Sequence, residues 1–129
     1  MTDKMPTIMV VDDSPTAIRL YQYAVEPLAV NLKCFTSPIE ALGYLQEHQP
    51  ELLLLDILMP SMDGLSLLKN LRQLSHLKEV PVIIITSKDF TQDRNIAKQQ
   101  GAVDFIIKPL GFKEIRNIVA KYIEVKPKQ

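Results

Sequence analysis

The stretch Leu52-Leu53-Leu54-Leu55-Asp56-Ile57-Leu58-Met59-Pro60 decides how the rest of the chain is read. Four consecutive leucines lack the alternation of a half-buried strand. They suit a strand covered on both faces, as in the middle of a parallel sheet. An ionisable residue ends the run. Asp is among the residues least often buried, and an unpaired buried carboxylate is expensive. Asp56 is therefore expected at the C-terminal mouth of the strand, where the chain leaves the sheet. Pro60 opposes a quick return to strand, and Asp63-Gly64 adds a turn signal. A strand-ending Asp that only caps the next turn is common, so Asp56 by itself assigns no function. Its partners must come from elsewhere in the chain.

Outward from this run, strands and helices alternate. Thr7-Ile8-Met9-Val10-Val11 is apolar and rich in β-branched residues, so it reads as a buried strand. Ser14-Pro15 then opens a helix, with Ser as N-cap and Pro at the first helical position. That helix is predicted to run to about residue 26, before Pro27. Its inner stripe is Ala17, Leu20, Tyr21, Ala24 and Leu28, which leaves Ile18 and Tyr23 outside. A second strand covers 30–35. Ser37-Pro38 repeats the cap-then-proline signature for a helix to about residue 47. After Gly64 a helix over 65–74 turns Leu65, Leu68 and Leu71 inward.

Pro81 precedes the apolar strand 82–86. A polar helix over 91–100 is stopped by Gly101. A fifth strand covers 103–107, and a helix over 112–124 faces inward with Ile115, Ile118, Val119 and Ile123. Such alternation predicts an α/β fold: a doubly wound, five-stranded parallel sheet covered on both faces by five helices, with right-handed crossovers. One domain is expected across 1–129, its core at about 7–124 and its ends frayed, since ~100–200 residues make one domain.

The bulk properties exclude several classes. Fifteen basic and fifteen acidic residues give a formal net charge of zero, so no global positive field attracts nucleic acid or an anionic membrane. The N-terminus has no apolar signal-peptide core, and no apolar run approaches the ~20 residues that span a bilayer. A cytoplasmic protein is the expectation. The lone Cys34 sits in an apolar stretch and reads as a small core residue. His48 and His76 read as solvated surface residues.

Sites in open parallel sheets form beyond the carboxyl ends of the strands. The residues there are Asp12 and Asp13 after the first strand, Asp56 after the third, Thr86 and Ser87 at the fourth, and Lys108 at the fifth. The second strand supplies no polar reactive group. If the first and third strands are neighbours, their ends lie ~4.8 Å apart and three carboxylates share one pocket. Two like charges ~4 Å apart repel by about 4 kcal/mol at an effective dielectric near 20, so the cluster requires cations. Lys108 is one. A hard divalent ion such as Mg²⁺, which takes carboxylate, water and phosphate oxygens, is the natural second.

Asp12-Asp13, Asp56 with Pro60 and Gly64, Thr86-Ser87 and Lys108-Pro109 resemble, in this order, the receiver domain of two-component response regulators. The likeness spans almost the whole chain, and no acceptor-site residue departs from the pattern. It implies a flavodoxin-like sheet of order 2-1-3-4-5 with five helices. It implies Asp56 as phosphoacceptor, with Mg²⁺ held by Asp12, Asp13, Asp56 and the Leu58 backbone carbonyl. Thr86 would hydrogen-bond the phosphoryl group and Lys108 would pair with it. Phe105 matches the family's switch aromatic, often Tyr, and Lys108-Pro109 matches a bond often cis.

The small Ser87 leaves room for an incoming phosphohistidine, although a plain loop serine explains it equally. Thr86 and Phe105 also have ordinary readings as strand and core residues. By the same resemblance the phosphodonor is a sensor histidine kinase or a histidine phosphotransfer protein. The response is a change in the face of the fourth helix, fifth strand and fifth helix that controls an effector, whose identity the sequence does not give. Such a chain is a phosphoacceptor that assists its own phosphorylation and dephosphorylation, not an enzyme.

Two other classes fit less well. An aspartyl-nucleophile phosphohydrolase needs its nucleophile on the first strand, a second Asp two residues on, and a substrate cap; Asp12-Asp13-Ser14 lacks that spacing. An FMN carrier needs a hydroxyl- and glycine-rich phosphate loop where this chain has two acids.

Overall fold

A computed structural model describes residues 5–124. Five strands form one parallel sheet: β1 (Thr7–Val11), β2 (Asn31–Phe35), β3 (Leu52–Leu55), β4 (Val82–Thr86) and β5 (Asp104–Ile107), in the order β2-β1-β3-β4-β5. Five α-helices connect and cover them: α1 (Pro15–Val25), α2 (Pro38–Leu45), α3 (Gly64–Leu71), α4 (Thr91–Gln99) and α5 (Phe112–Tyr122). The expected sheet order and helix number are those observed.

Strand pleating explains the two cores. Alternate side chains leave opposite faces of a strand. Ile8, Val10, Leu52, Leu54, Ile83 and Ile85 pack beneath α1 and α5. Met9, Val11, Leu53, Leu55, Val82 and Ile84 pack beneath α2, α3 and α4. The leucine run is thus divided between both cores, and each of its four side chains is at most 2% exposed. Full burial of such a side chain contributes roughly 1.5–3 kcal/mol, so this run alone anchors both layers.

The caps follow the sequence. Ser14 Oγ accepts from the Ala17 amide, and Ser37 Oγ from the Glu40 amide. Asp63, expected only as part of a turn, caps α3 by accepting from the Ser66 amide at 2.8 Å. Gly101, at φ 81°, follows α4 in the left-handed conformation that glycine tolerates.

Several details depart from expectation. α2 ends two residues before residue 47, because the Gln46 and Glu47 amides reach back only three residues, to Gly43 and Tyr44. α3 ends at Leu71, and a 3₁₀ turn at Ser75–Leu77, not foreseen, buries Leu77. α5 stops at Tyr122, where Ile123 turns extended yet stays buried. β2 and β5 each begin one residue later than expected. Ile18 is not outside the stripe; it is half-buried against the α1–α5 core. His76 is not fully solvated, since its Nε2 lies 2.7 Å from the Leu45 carbonyl, joining the 3₁₀ turn to the end of α2. His48 is exposed and stacked on Tyr44. Cys34 is half-buried, and burial pushes its thiol up to about 11, which keeps it protonated. The segments expected to fray, 1–4 and 125–129, lie outside the described residues.

Candidate functional site: an acidic pocket bridged by a lysine

Pairing in register sets the site. Val11 lies opposite Leu55, so Asp12 and Asp56 leave adjacent strands at the same level. The Asp12 amide donates to Phe35 O and the Asp56 amide to Val11 O, each at 3.0 Å, which continues the ladder one residue past the strand ends. Both carboxylates are consequently held in place by backbone. Asp12 is 1% exposed and Asp56 6%, whereas Asp13 is exposed. One oxygen from each of Asp12, Asp13 and Asp56 lies within 4.8 Å of the others.

Lys108 crosses from the end of β5. Its Nζ donates to Asp12 Oδ2 at 2.8 Å and to Asp56 Oδ2 at 3.2 Å. The other oxygens have backbone donors: Ser14 N to Asp12 Oδ1 at 2.9 Å, and Leu58 N to Asp56 Oδ1 at 3.2 Å. Every buried side-chain polar atom among the described residues has a partner. The Lys108–Pro109 peptide is cis.

The charges are only partly balanced. Burial raises the Asp56 carboxyl above the usual range, and Asp12 adds to the rise; Lys108 and the Leu58 amide oppose it without cancelling it. Desolvation pulls Lys108 down, but Asp12 and Asp56 together outweigh it and leave the ammonium raised. Lys108→Met would leave two buried carboxylates facing each other. We expect it to lower unfolding free energy by about 1–3 kcal/mol at neutral pH. Without the ammonium, the main influence opposing the burial-driven rise of Asp56 is gone, so folded Asp56 holds its proton more tightly and the deficit shrinks as pH falls. Urea melts across pH measure this; a deficit independent of pH would mean that the bridge does not set it.

Of the other expected site residues, Leu58 alone bonds to one of these acids among the described residues. Thr86 is fully buried at the end of β4, and its Oγ1 accepts from the Lys88 amide at 3.4 Å. Among the described residues it has no hydrogen bond to Asp56. Ser87 is exposed on the following loop. Leu58, 45% exposed, meets Asp56 through its amide. Phe105 is one strand further on, opposite Ile84, and half-buried against the α4-side core. Phe105 therefore lies outside the acid–lysine cluster. Sequence reasoning did not anticipate the Arg94 guanidinium 4.7 Å above the Phe105 ring. The cue was present as an Arg on the polar helix α4 beside β5, but its partner depends on tertiary placement.

A doubly wound sheet with three acids, a lysine and a buried hydroxyl at its carboxyl edge defines an α/β protein whose oxygen set suits a hard divalent cation. Residues 8–120 match the response regulator receiver domain, and the chain belongs to that family. It is 36% identical over 111 residues to the cyclic di-GMP phosphodiesterase response regulator RpfG of Xanthomonas campestris pv. campestris, a match covering 84% of this chain and 29% of RpfG. The chain thus spans less than a third of RpfG's length. It is 28% identical over 117 residues to the polar-differentiation response regulator DivK of Brucella ovis, covering 91% of this chain and 95% of DivK. Its fold matches that of the Vibrio cholerae chemotaxis protein CheY4 with a TM-score of 0.86 at 21% identity, covering 93% of this chain and 100% of the other. No described helix is long and apolar enough to cross a membrane.

Proposed function

We propose that this chain, as a single receiver domain over 1–129, is a phosphorylation-dependent switch whose acceptor is Asp56. The observation that carries the reading is the shared ammonium: Lys108 holds Asp12 and Asp56 together at the mouths of adjacent strands, with Asp13 beside them. The donor is a sensor histidine kinase or a histidine phosphotransfer protein in the cytoplasm. An Asp56 oxygen attacks phosphorus as the P–N bond breaks, and the imidazole nitrogen leaves with the electron pair and is protonated. Exposed Ser87 leaves the approach to Asp56 open.

Lys108 then pairs with a phosphoryl oxygen, and the Thr86 hydroxyl donates to another. Positioning and charge neutralisation supply most of the catalysis in such transfers. Asp12, Asp13, Asp56 and the Leu58 carbonyl would hold Mg²⁺, which when bound offsets charge on the phosphoryl oxygens. Drawing Thr86 towards the phosphoryl group frees space behind it for Phe105, and the α4–β5–α5 face changes for an effector. The chain is an acceptor that assists its own phosphorylation and hydrolysis, with no separate substrate.

Acetyl phosphate with Mg²⁺, followed by intact mass, tests the reading: one phosphoryl group per chain supports it, and none refutes it. Asp13 is exposed, so Asp13→Ala should fold normally yet lose metal affinity on the order of tenfold or more. Its labelling should fall at limiting Mg²⁺ and recover at high Mg²⁺. Labelling that persists in EDTA would remove the metal from the mechanism.

A further inference from the structure

The loop after β4 and the aromatic on β5 are joined by a chain of contacts through α4. Thr86 Oγ1 accepts from the Lys88 amide at 3.4 Å. Asp89 follows, and its Oδ1 accepts from Arg94 Nε one turn into α4. The carbon of the same guanidinium lies over the Phe105 ring, 4.7 Å from its centre. Arg94 also lines a hollow of about 280 Å³ between α4 and β5, whose wall includes Ala97, Ala102 and Phe105. Asp104, the other acid near Arg94, turns its Oδ1 to its neighbouring Phe105 amide at 2.8 Å. The guanidinium is therefore tied to one acid and one ring.

We propose that Arg94 is the positioning residue that couples the β4–α4 loop to Phe105. This rests on the acceptor reading of Asp56. Phe105 has no hydroxyl with which to hold an outward position, and Arg94 supplies that hold through the ring face. When the Thr86 hydroxyl turns towards a phosphoryl group, the Lys88 amide loses its acceptor. The loop carrying Asp89 shifts, Arg94 loses its anchor, and Phe105 is released inward. An arginine over a half-buried ring, itself open to solvent, favours the stacked arrangement by about two- to fivefold. That factor biases a balance without locking it, as a switch requires.

The test is NMR on the full chain, with and without Mg²⁺ and the phosphoryl mimic beryllofluoride. Fluorine signals of bound beryllofluoride report acceptor occupancy independently of Phe105. In wild type, the Arg94 δ-protons should be shifted upfield by the ring and relax towards ordinary positions on beryllofluoride binding. In free Arg94→Gln, the Phe105 amide should move part of the way to the beryllofluoride-saturated position, a change of about two- to fivefold in conformer ratio. Arg94→Lys, which keeps charge but not the flat face, should fall between, and Asp89→Asn should shift in the same direction. All variants should bind beryllofluoride.

Coincident Phe105 amides in wild type and Arg94→Gln, with beryllofluoride bound in both, would overturn the coupling while leaving Asp56 as acceptor. Absence of bound beryllofluoride in wild type would overturn the acceptor reading, and the coupling with it.

Discussion

Asp56→Asn is expected to take up no phosphoryl group from acetyl phosphate while becoming more stable than wild type at neutral pH. The first half follows from chemistry. An amide oxygen at the same place is a poor nucleophile, and the nearest other carboxylates have different tasks. Asp12 is buried and saturated by Lys108 and the Ser14 amide, and Asp13 is exposed. The second half follows from linkage. Burial raises the Asp56 pKa in the folded state above its unfolded value, so between those two values the folded chain binds more protons. Stability therefore falls as pH rises through that window, and above it the ionised carboxylate is a standing cost. Asparagine removes the cost, so its advantage is full at neutral pH and fades as pH drops through the folded-state pKa of Asp56. Mg²⁺ should stabilise wild type and narrow the difference from the other side. Intact mass and urea melts at several pH values check both halves. A phosphoryl group on Asp56→Asn would move the acceptor elsewhere, and lower stability at neutral pH would mean that the lysine already balances the pocket.

The parts of this molecule that were legible in its sequence are those governed by local rules. The leucine run, Ser14-Pro15, Ser37-Pro38 and Gly101 act through strand burial, capping and backbone conformation, and each lies where that physics requires. The acids were legible for a related reason. A parallel sheet gathers residues that follow strands onto one edge, so Asp12, Asp56 and Lys108 converge once the strands are found.

What stayed hidden depends on long-range partners. Arg72 ends α3 by turning its guanidinium to the carbonyls of Leu77, Val80, Gln100 and Gly101, at 2.7 to 3.0 Å. No period in the sequence marks that arginine as different from any surface arginine. The same holds for His76 against Leu45 and for Arg94 over Phe105. Asp63 shows the intermediate case, where a turn signal was visible but its service as an N-cap needed the helix start to be fixed.

Gly64→Ala should be the most damaging single-methyl change in the chain. A Cβ at Gly64 would sit 2.0 Å from the Asp56 carbonyl oxygen, 2.8 Å from its carbon and 3.0 Å from Ile57 Cα. All three are backbone atoms, so no rotamer change relieves the overlap. The Gly64 amide also donates to Ile57 O at 3.0 Å, which closes the loop onto the start of α3. Alanine gains up to ~1 kcal/mol over glycine as a helix former. Forcing atoms into packed space costs typically ~1–3 kcal/mol and sometimes more, and here the obstacle cannot yield, so strain wins. We expect a net loss of about 2–3 kcal/mol in urea melts. A fall in phosphoryl uptake should accompany it, because the displaced backbone is that of the proposed acceptor. Gly43→Ala is the matched control. It lies within α2 with nothing inside 4 Å of the added methyl, so it should stabilise by about 0.5–1 kcal/mol and leave phosphoryl uptake unchanged. Equal melts for Gly64→Ala and wild type would show that the approach of α3 to Asp56 is looser than these distances, and that the acceptor is held by β3 alone.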